Sequence, residues 1–229
     1  MGEARPDSED TLRFLLDYLG DELDPSILIG GWATHLRVGG EISYDIDFIV
    51  TTESRHRVQQ VVPQVTDNNI HQGRKFSGEL EGVHLDIYIP HESQLGMRLQ
   101  LKVEALSRYV DREIAPPWLL LTIEAHTVTK LAALLDRSHS EKGAKDAREM
   151  VALLKEGVDP DVALGILAEA TAGTPEAIPG YVDEMFILIP RLSPLSKVDQ
   201  KLVSAWRRAW VQAALRYASS GPLAPRQLL

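Results

Sequence analysis

Residues 43–50 read Ser-Tyr-Asp-Ile-Asp-Phe-Ile-Val. Side chains of an extended chain alternate between two faces, so Ser43, Asp45 and Asp47 share one face while Ile46 and Phe48 share the other. The segment therefore reads as a strand that buries one face and carries two carboxylates side by side on the opposite one. Val83 to Ile89 repeats the arrangement, with Leu85, Ile87 and Ile89 on one face and His84, Asp86 and Tyr88 on the other. Arg74 to Ile89 as a whole reads as a hairpin turning near Glu81-Gly82 and closed by Pro90.

The rest of the first half fits an α/β arrangement. Ser8 can cap a first helix with an apolar stripe at Leu12, Phe14, Leu15, Leu16 and Leu19. Asp24-Pro25 breaks it, and Ser26 to Ile29 reads as a short buried strand. Gly30-Gly31 ends that strand, a helix starts at Trp32, and Gly39-Gly40 stops it. Residues 53–62 look helical, and a short strand or irregular segment falls between Ala105 and Ile114. From Pro116 the character changes. Trp118 to Arg137 reads as one long helix and Gly143 to Glu156 as another. Asp159-Pro160 is an N-cap and first-turn pair for a third, Thr174-Pro175 starts a fourth, and Lys197 to Ser219 forms the last, followed by a loose tail, 221–229. The division expected is an α/β half over residues 1–115 and an all-helical half over 116–229.

Composition excludes several classes. The 229 residues are 44% hydrophobic and 25% charged, ordinary for a globular protein. There is no cysteine, which rules out disulfides and thiolate metal sites. The N-terminus lacks an apolar signal core, and no stretch approaches the roughly 20 apolar residues of a membrane helix, so a cytoplasmic protein without a membrane partner is expected. A net charge of −9 disfavours nucleic-acid binding as a default, because phosphate contacts need Lys and Arg. The histidines show no metal-ligand spacing.

Carboxylates crowded on one strand face repel unless solvent or a cation screens them. Hard divalent ions such as Mg²⁺ take oxygen ligands and bridge carboxylates to substrate phosphates. If the Asp86 strand lies beside the Asp45–Asp47 strand, three carboxylates converge. That set suits a two-metal site, with Asp45, Asp47 and Asp86 as ligands and the third also available as general base. Read singly, an Asp-x-Asp is more often a solvated strand face.

Gly30 and Gly31 lie between an apolar strand and a helix, where backbone N–H groups can approach phosphate oxygens. Ser43 shares the face of Asp45 and can offer a hydroxyl. The bland alternative is a tight turn with no ligand. The order strand, Gly-Gly, helix, Ser-x-Asp-x-Asp strand, lone-Asp strand resembles the DNA polymerase β-type nucleotidyltransferase superfamily. The matching residues are Gly30, Gly31, Ser43, Asp45, Asp47 and Asp86, and the resemblance covers roughly residues 1–115. It implies an α+β fold: a small mixed β-sheet core with flanking helices, followed by a C-terminal helical bundle. It also implies a nucleoside triphosphate as co-substrate and Mg²⁺ or Mn²⁺ as cofactor. One position departs from the pattern: Ile42 stands where members often carry a basic residue, and Arg37 is the available substitute.

In the second half, Lys130 on one helix and Lys145-Asp146 opening the next look like the AbiEii-like nucleotidyltransferases, toxins of toxin–antitoxin pairs among them, some of which modify tRNA. By that resemblance Lys130 contacts the triphosphate, Asp146 sits at the pocket rim, and the helical half completes the nucleotide and acceptor cleft. Taken alone, Lys130 reads equally as a solvated helix residue and Asp146 as an acid at a helix N-terminus. Arg137 and Lys145 read as helix-surface residues. The last helix interleaves Lys197, Lys201, Arg207, Arg208 and Arg216 with Trp206, Trp210 and Tyr217, either an RNA surface or core aromatics with a wet basic face. Arg74-Lys75 lies where it could meet an acceptor phosphate.

Three functions remain open to the sequence. The first is a nucleotidyltransferase acting on RNA, with tRNA as acceptor and a cognate antitoxin as partner. The second is the same chemistry on a small molecule, such as an aminoglycoside, or on a protein hydroxyl. The third is a non-catalytic binding module of the same fold.

Overall fold

A computed structural model describes residues 9–68, 75–171 and 175–220. The chain forms two compact units. The first comprises residues 1–97 and 102–122, the second residues 98–101 and 123–229.

The first unit opens with helix α1 (Glu9–Glu22), strand β1 (Ser26–Ile29) and helix α2 (Gly30–Val38). Strand β2 (Asp45–Val50) and helix α3 (Arg55–Val61) follow. Then come β3 (Thr66–Asn68), β4 (Lys75–Leu80) and β5 (Val83–Tyr88), the short strands β6 (Gln94–Leu95) and β7 (Leu101–Lys102, its first residue in the second unit), and the one-turn helix α4 (Val103–Leu106). Strands β8 (Val110–Ala115) and β9 (Trp118–Leu121) complete the unit. Seven strands form one mixed sheet in the order β3-β4-β5-β2-β1-β9-β8. β2 lies at its middle, parallel to β5 and antiparallel to β1.

The alternation read from the sequence positions this sheet. Ile46, Phe48, Leu85 and Ile87 are fully buried and pack with Leu12, Leu15, Leu16, Leu19 and Trp32 of the flanking helices. Trp118 joins this core and anchors α1, its indole N–H donating to the Leu16 carbonyl at 2.9 Å. The β4–β5 hairpin turns through Glu81 at φ 49° and Gly82 at φ 78°, the left-handed pair that a two-residue hairpin loop with native strand twist requires.

Trp118 to Leu121 corrects the sequence reading. It is a strand, not the first turn of a long helix, and the helix begins only at Ile123. All four residues are buried, and Leu119 and Leu120 pair in parallel with Ile27 and Leu28 of β1. An apolar run of four carries no period that separates strand from helix, and the neighbouring strand decides. The sheet unit accordingly extends past residue 115 to Thr122.

The second unit is helical. It contains α5 (Ile123–Asp136), α6 (Glu141–Lys155), α7 (Pro160–Ala170), α8 (Ile178–Leu192) and α9 (Lys197–Ser220). α5 packs on α6, α7 and α8, and α9 packs on α7 and α8. α6 and α7 are capped by side-chain oxygens: Ser140 accepts from Gly143 N–H, and Asp159 accepts from Asp161 and Val162 N–H. Arg98 fastens residues 98–101 to this unit. Its backbone N–H donates to Asp136, and its guanidinium forms a fork to Glu184 at 2.7 and 2.9 Å. The expected cap Ser8, Thr174 and the tail 221–229 lie outside the described residues.

Candidate active site

The strand pairing puts the three carboxylates on one face of the sheet. β2 and β5 run parallel in a register that sets Asp47 beside Asp86 and Asp45 beside His84, so all four side chains share one face. Asp45 and Asp47 are half-buried, and Asp86 is buried. Ser43 Oγ donates to Asp45 Oδ1 in a very short hydrogen bond, which orients one carboxylate of the pair.

Gly30 borders the site. It follows β1, where Ile29 is registered against Asp47, and takes φ +69°. A Cβ built on it collides with the Asp47 carboxylate. Glycine is therefore required twice, once by the left-handed backbone and once by the close approach. Gly31 is buried in the first turn of α2, so the N-terminal end of that helix abuts the carboxylate strand.

Asp86 is held on both oxygens. Lys75 Nζ on β4 donates to Oδ2 at 2.5 Å, and His84 Nε2 lies 3.0 Å from Oδ1. Ser77, the β4 residue registered opposite Asp86, lies 3.5 Å from Oδ1. Lys75 is two residues from Ser77 and shares its face, which puts its ammonium diagonally across from Asp86. The sequence offered Lys75 as a contact to an acceptor phosphate, and the signal for its pairing with Asp86 was the hairpin register itself. Its neighbour Arg74 lies outside the described residues.

A divalent ion fits the Asp45–Asp47 pair. The donors are hard oxygens on one half-buried face. Among the described residues no three acidic or imidazole side chains form a ready-made cage. Two carboxylates with the remaining ligands drawn from water and phosphate is the usual way Mg²⁺ is held.

Arg37 is committed elsewhere in this unit. Its guanidinium donates to the Leu121 carbonyl at 2.5 Å.

Within the helical unit, Lys130 and Asp146 come together as part of a larger ion cluster. Lys130 is 5% exposed, donates to Asp146 Oδ1 at 3.3 Å and makes a short bond to Glu149. Arg137 reaches Asp146 Oδ2 at 3.2 Å, and Lys145 lies 3.9 Å from Glu149. Burial holds the Glu149 carboxyl above its ordinary range, outweighing the pull of Lys130. Sequence reasoning passed over Glu149, although it follows Asp146 by three residues and so shares its helix face.

The last helix uses its aromatic residues for packing. Trp210 and Tyr217 are buried, and Trp210 meets Phe186 edge-on. Arg207 forks onto Asp183 at 2.7 and 3.0 Å, and Arg216 pairs with Asp161.

No family model and no curated protein matches this chain. Solved structures do. The antibiotic-resistance factor ANT(2'')-Ia in solution aligns at 18% identity and TM-score 0.49, over 70% of this chain and 91% of its own. The crystal structure of ANT(2")-Ia in complex with adenylyl-2"-tobramycin aligns at 17% identity and TM-score 0.50, over 69% and 94%. An antigenic nucleotidyltransferase-like protein from Paracoccidioides brasiliensis aligns at 18% identity and TM-score 0.40, over 66% and 78%. The match to the tobramycin complex concerns fold: a mixed sheet with flanking helices and a C-terminal helical region, as in nucleotidyltransferases.

Proposed function

We propose that this protein is a metal-dependent nucleotidyltransferase that moves a nucleoside monophosphate from a nucleoside triphosphate to an acceptor hydroxyl. One observation carries the reading: Asp45, Asp47 and Asp86 share one face of two paired strands, with the Gly30 backbone pressed against Asp47. A surface that gathers three carboxylates without a use for cations would be a costly arrangement, because like charges at these spacings repel.

Asp45 and Asp47 hold the divalent ion. When bound, that ion offsets the charge that develops on the transferring phosphoryl group and its triphosphate tail. Ser43 fixes the Asp45 carboxylate, and the Gly30 turn sets the N-terminal end of α2, the end that favours anions, beside the carboxylate strand. Asp86 takes the proton of the acceptor hydroxyl. The bond from acceptor oxygen to α-phosphorus forms as the bond to the bridging oxygen breaks, and pyrophosphate leaves.

For the acceptor we favour a small hydroxylated molecule. Two arginines of α9 are matched to Asp183 and Asp161, and two of its three aromatics are buried, which leaves that helix poorly equipped to track an RNA backbone. The net charge of −9 favours a cationic acceptor over a polyanion, and ANT(2")-Ia, whose fold is shared, has been seen with adenylylated tobramycin. Transfer to tRNA by a toxin with an antitoxin partner is the second reading, supported by the Lys130 and Asp146 pattern.

The test is incubation with Mg²⁺ and each α-³²P-labelled nucleoside triphosphate, offered an aminoglycoside panel and total tRNA in separate reactions, with Asp47→Ala as control. Label on an aminoglycoside only with the parent protein establishes the favoured reading. Label on tRNA establishes the second. Label on neither, with equal pyrophosphate release from parent and control, rejects nucleotidyl transfer to both classes.

A further inference from the structure

The geometry around Asp86 points to a lysine standing in for one metal ion. We propose that Lys75 is the resident counter-ion of Asp86, so that the site takes a single divalent cation, at Asp45 and Asp47, instead of two. This rests on the nucleotidyltransferase reading and specifies its metal content.

Both oxygens of Asp86 are engaged within the chain. The Lys75 ammonium makes an ion pair with Oδ2 at 2.5 Å, and His84 meets Oδ1 at 3.0 Å. The Asp86 side chain is 9% exposed and that of Lys75 27%, so solvent screens this pair less than a surface ion pair. A metal shared by all three carboxylates would have to displace the ammonium and leave it partly buried beside a divalent charge. Lys75 is not on a free stem. It projects from β4, hydrogen-bonded to β5 along the hairpin, with Ser77 registered on Asp86, and the sheet delivers it to this carboxylate.

Lys75 then acts as a positioning residue: it orients Asp86, and the carboxylate is left to face the acceptor hydroxyl instead of a second ion.

The test counts ions. The full-length protein is titrated with Mn²⁺ in the presence of a saturating, non-hydrolysable nucleoside triphosphate analogue, and bound metal is read by electron paramagnetic resonance. The parent is expected to bind one ion per chain, Lys75→Met two, and Lys75→Arg one. Two ions on the parent overturn the proposal, as does an unchanged single ion on Lys75→Met. Asp86→Asn supplies an independent arm should Lys75→Met fail to fold: a count that stays at one supports the proposal, and a count that falls overturns it. No nucleotide-dependent ion on any variant overturns the nucleotidyltransferase reading itself, a result distinct from two ions on the parent.

Discussion

Asp47 lies against the α-carbon of Gly30 with no room between them for a methyl group. The contact joins the turn after β1 to the carboxylate strand, and it makes residue 30 as much a part of the proposed site as the aspartates. Gly30→Ala must both hold a left-handed φ and push the carboxylate aside. The expected cost is about 1–3 kcal/mol of stability, read as a lower melting temperature, with loss of the stabilisation by Mg²⁺ and nucleotide that the proposed site predicts. Parent-like melting with intact ligand stabilisation would mean that Asp47 moves freely.

Asp45 and Asp47 set two carboxylates on one half-buried face, the pair proposed to hold the divalent ion. Asp45→Asn and Asp47→Asn should each lower nucleotidyl transfer by at least about 10²-fold, the scale on which a major electrostatic contribution to catalysis is felt. Chelation of metal should remove transfer from the parent and leave the melting temperature of either variant unmoved. Residual transfer above a tenth of the parent rate in Asp47→Asn contradicts the assignment.

How far these residues could be read in advance depended on period. Asp45, Asp47 and Asp86 were legible because a strand with one greasy face forces the carboxylates onto the other, and the hairpin turn at Glu81-Gly82 declared itself by residue type. Trp118 to Leu121 was not legible: four apolar residues fit either element, and the neighbour that decides, β1, is some ninety residues earlier in the chain. Lys75 was hidden for a related reason. Its partner is fixed by the pairing register of β4 with β5, not by anything beside it in sequence. Glu149 was visible as an acid on the face of Asp146, but the burial that gives it meaning comes from how α5 and α6 pack.

Lys130 is the cation between two buried carboxylates. Lys130→Met removes it and leaves those charges without their closest partner, a loss of about 3–5 kcal/mol when one member of a buried pair is deleted. Thermal or urea unfolding checks this. A melting temperature within a degree or two of the parent would mean that water or Arg137 and Lys145 take over its place.

Glu149 makes stability depend on pH in a defined sense. Its folded-state pKa is raised, chiefly by burial, so the folded protein binds this proton more tightly than the unfolded chain. The contribution is fully present below the unfolded value of 4.5 and is lost as pH climbs through the raised folded value. Glu149→Gln cannot titrate. Unfolding midpoints measured from pH 4 upward should therefore show the parent losing ground to Glu149→Gln as pH rises, and parallel curves would contradict the direction.

β1 is flanked by β2, which follows it closely in the chain, and by β9, which arrives only at residues 118–121. On a ribosome the first strand must wait, one margin unpaired, until most of the sheet unit has been made. A nascent chain halted near residue 115 presents Ser26 to Ile29, four residues that the finished protein buries completely, as an open template for another chain's backbone. Stalled or clipped chains of that length should clump, and those that reach Thr122 should not. The order of synthesis thus makes the chain most vulnerable just before β9 emerges.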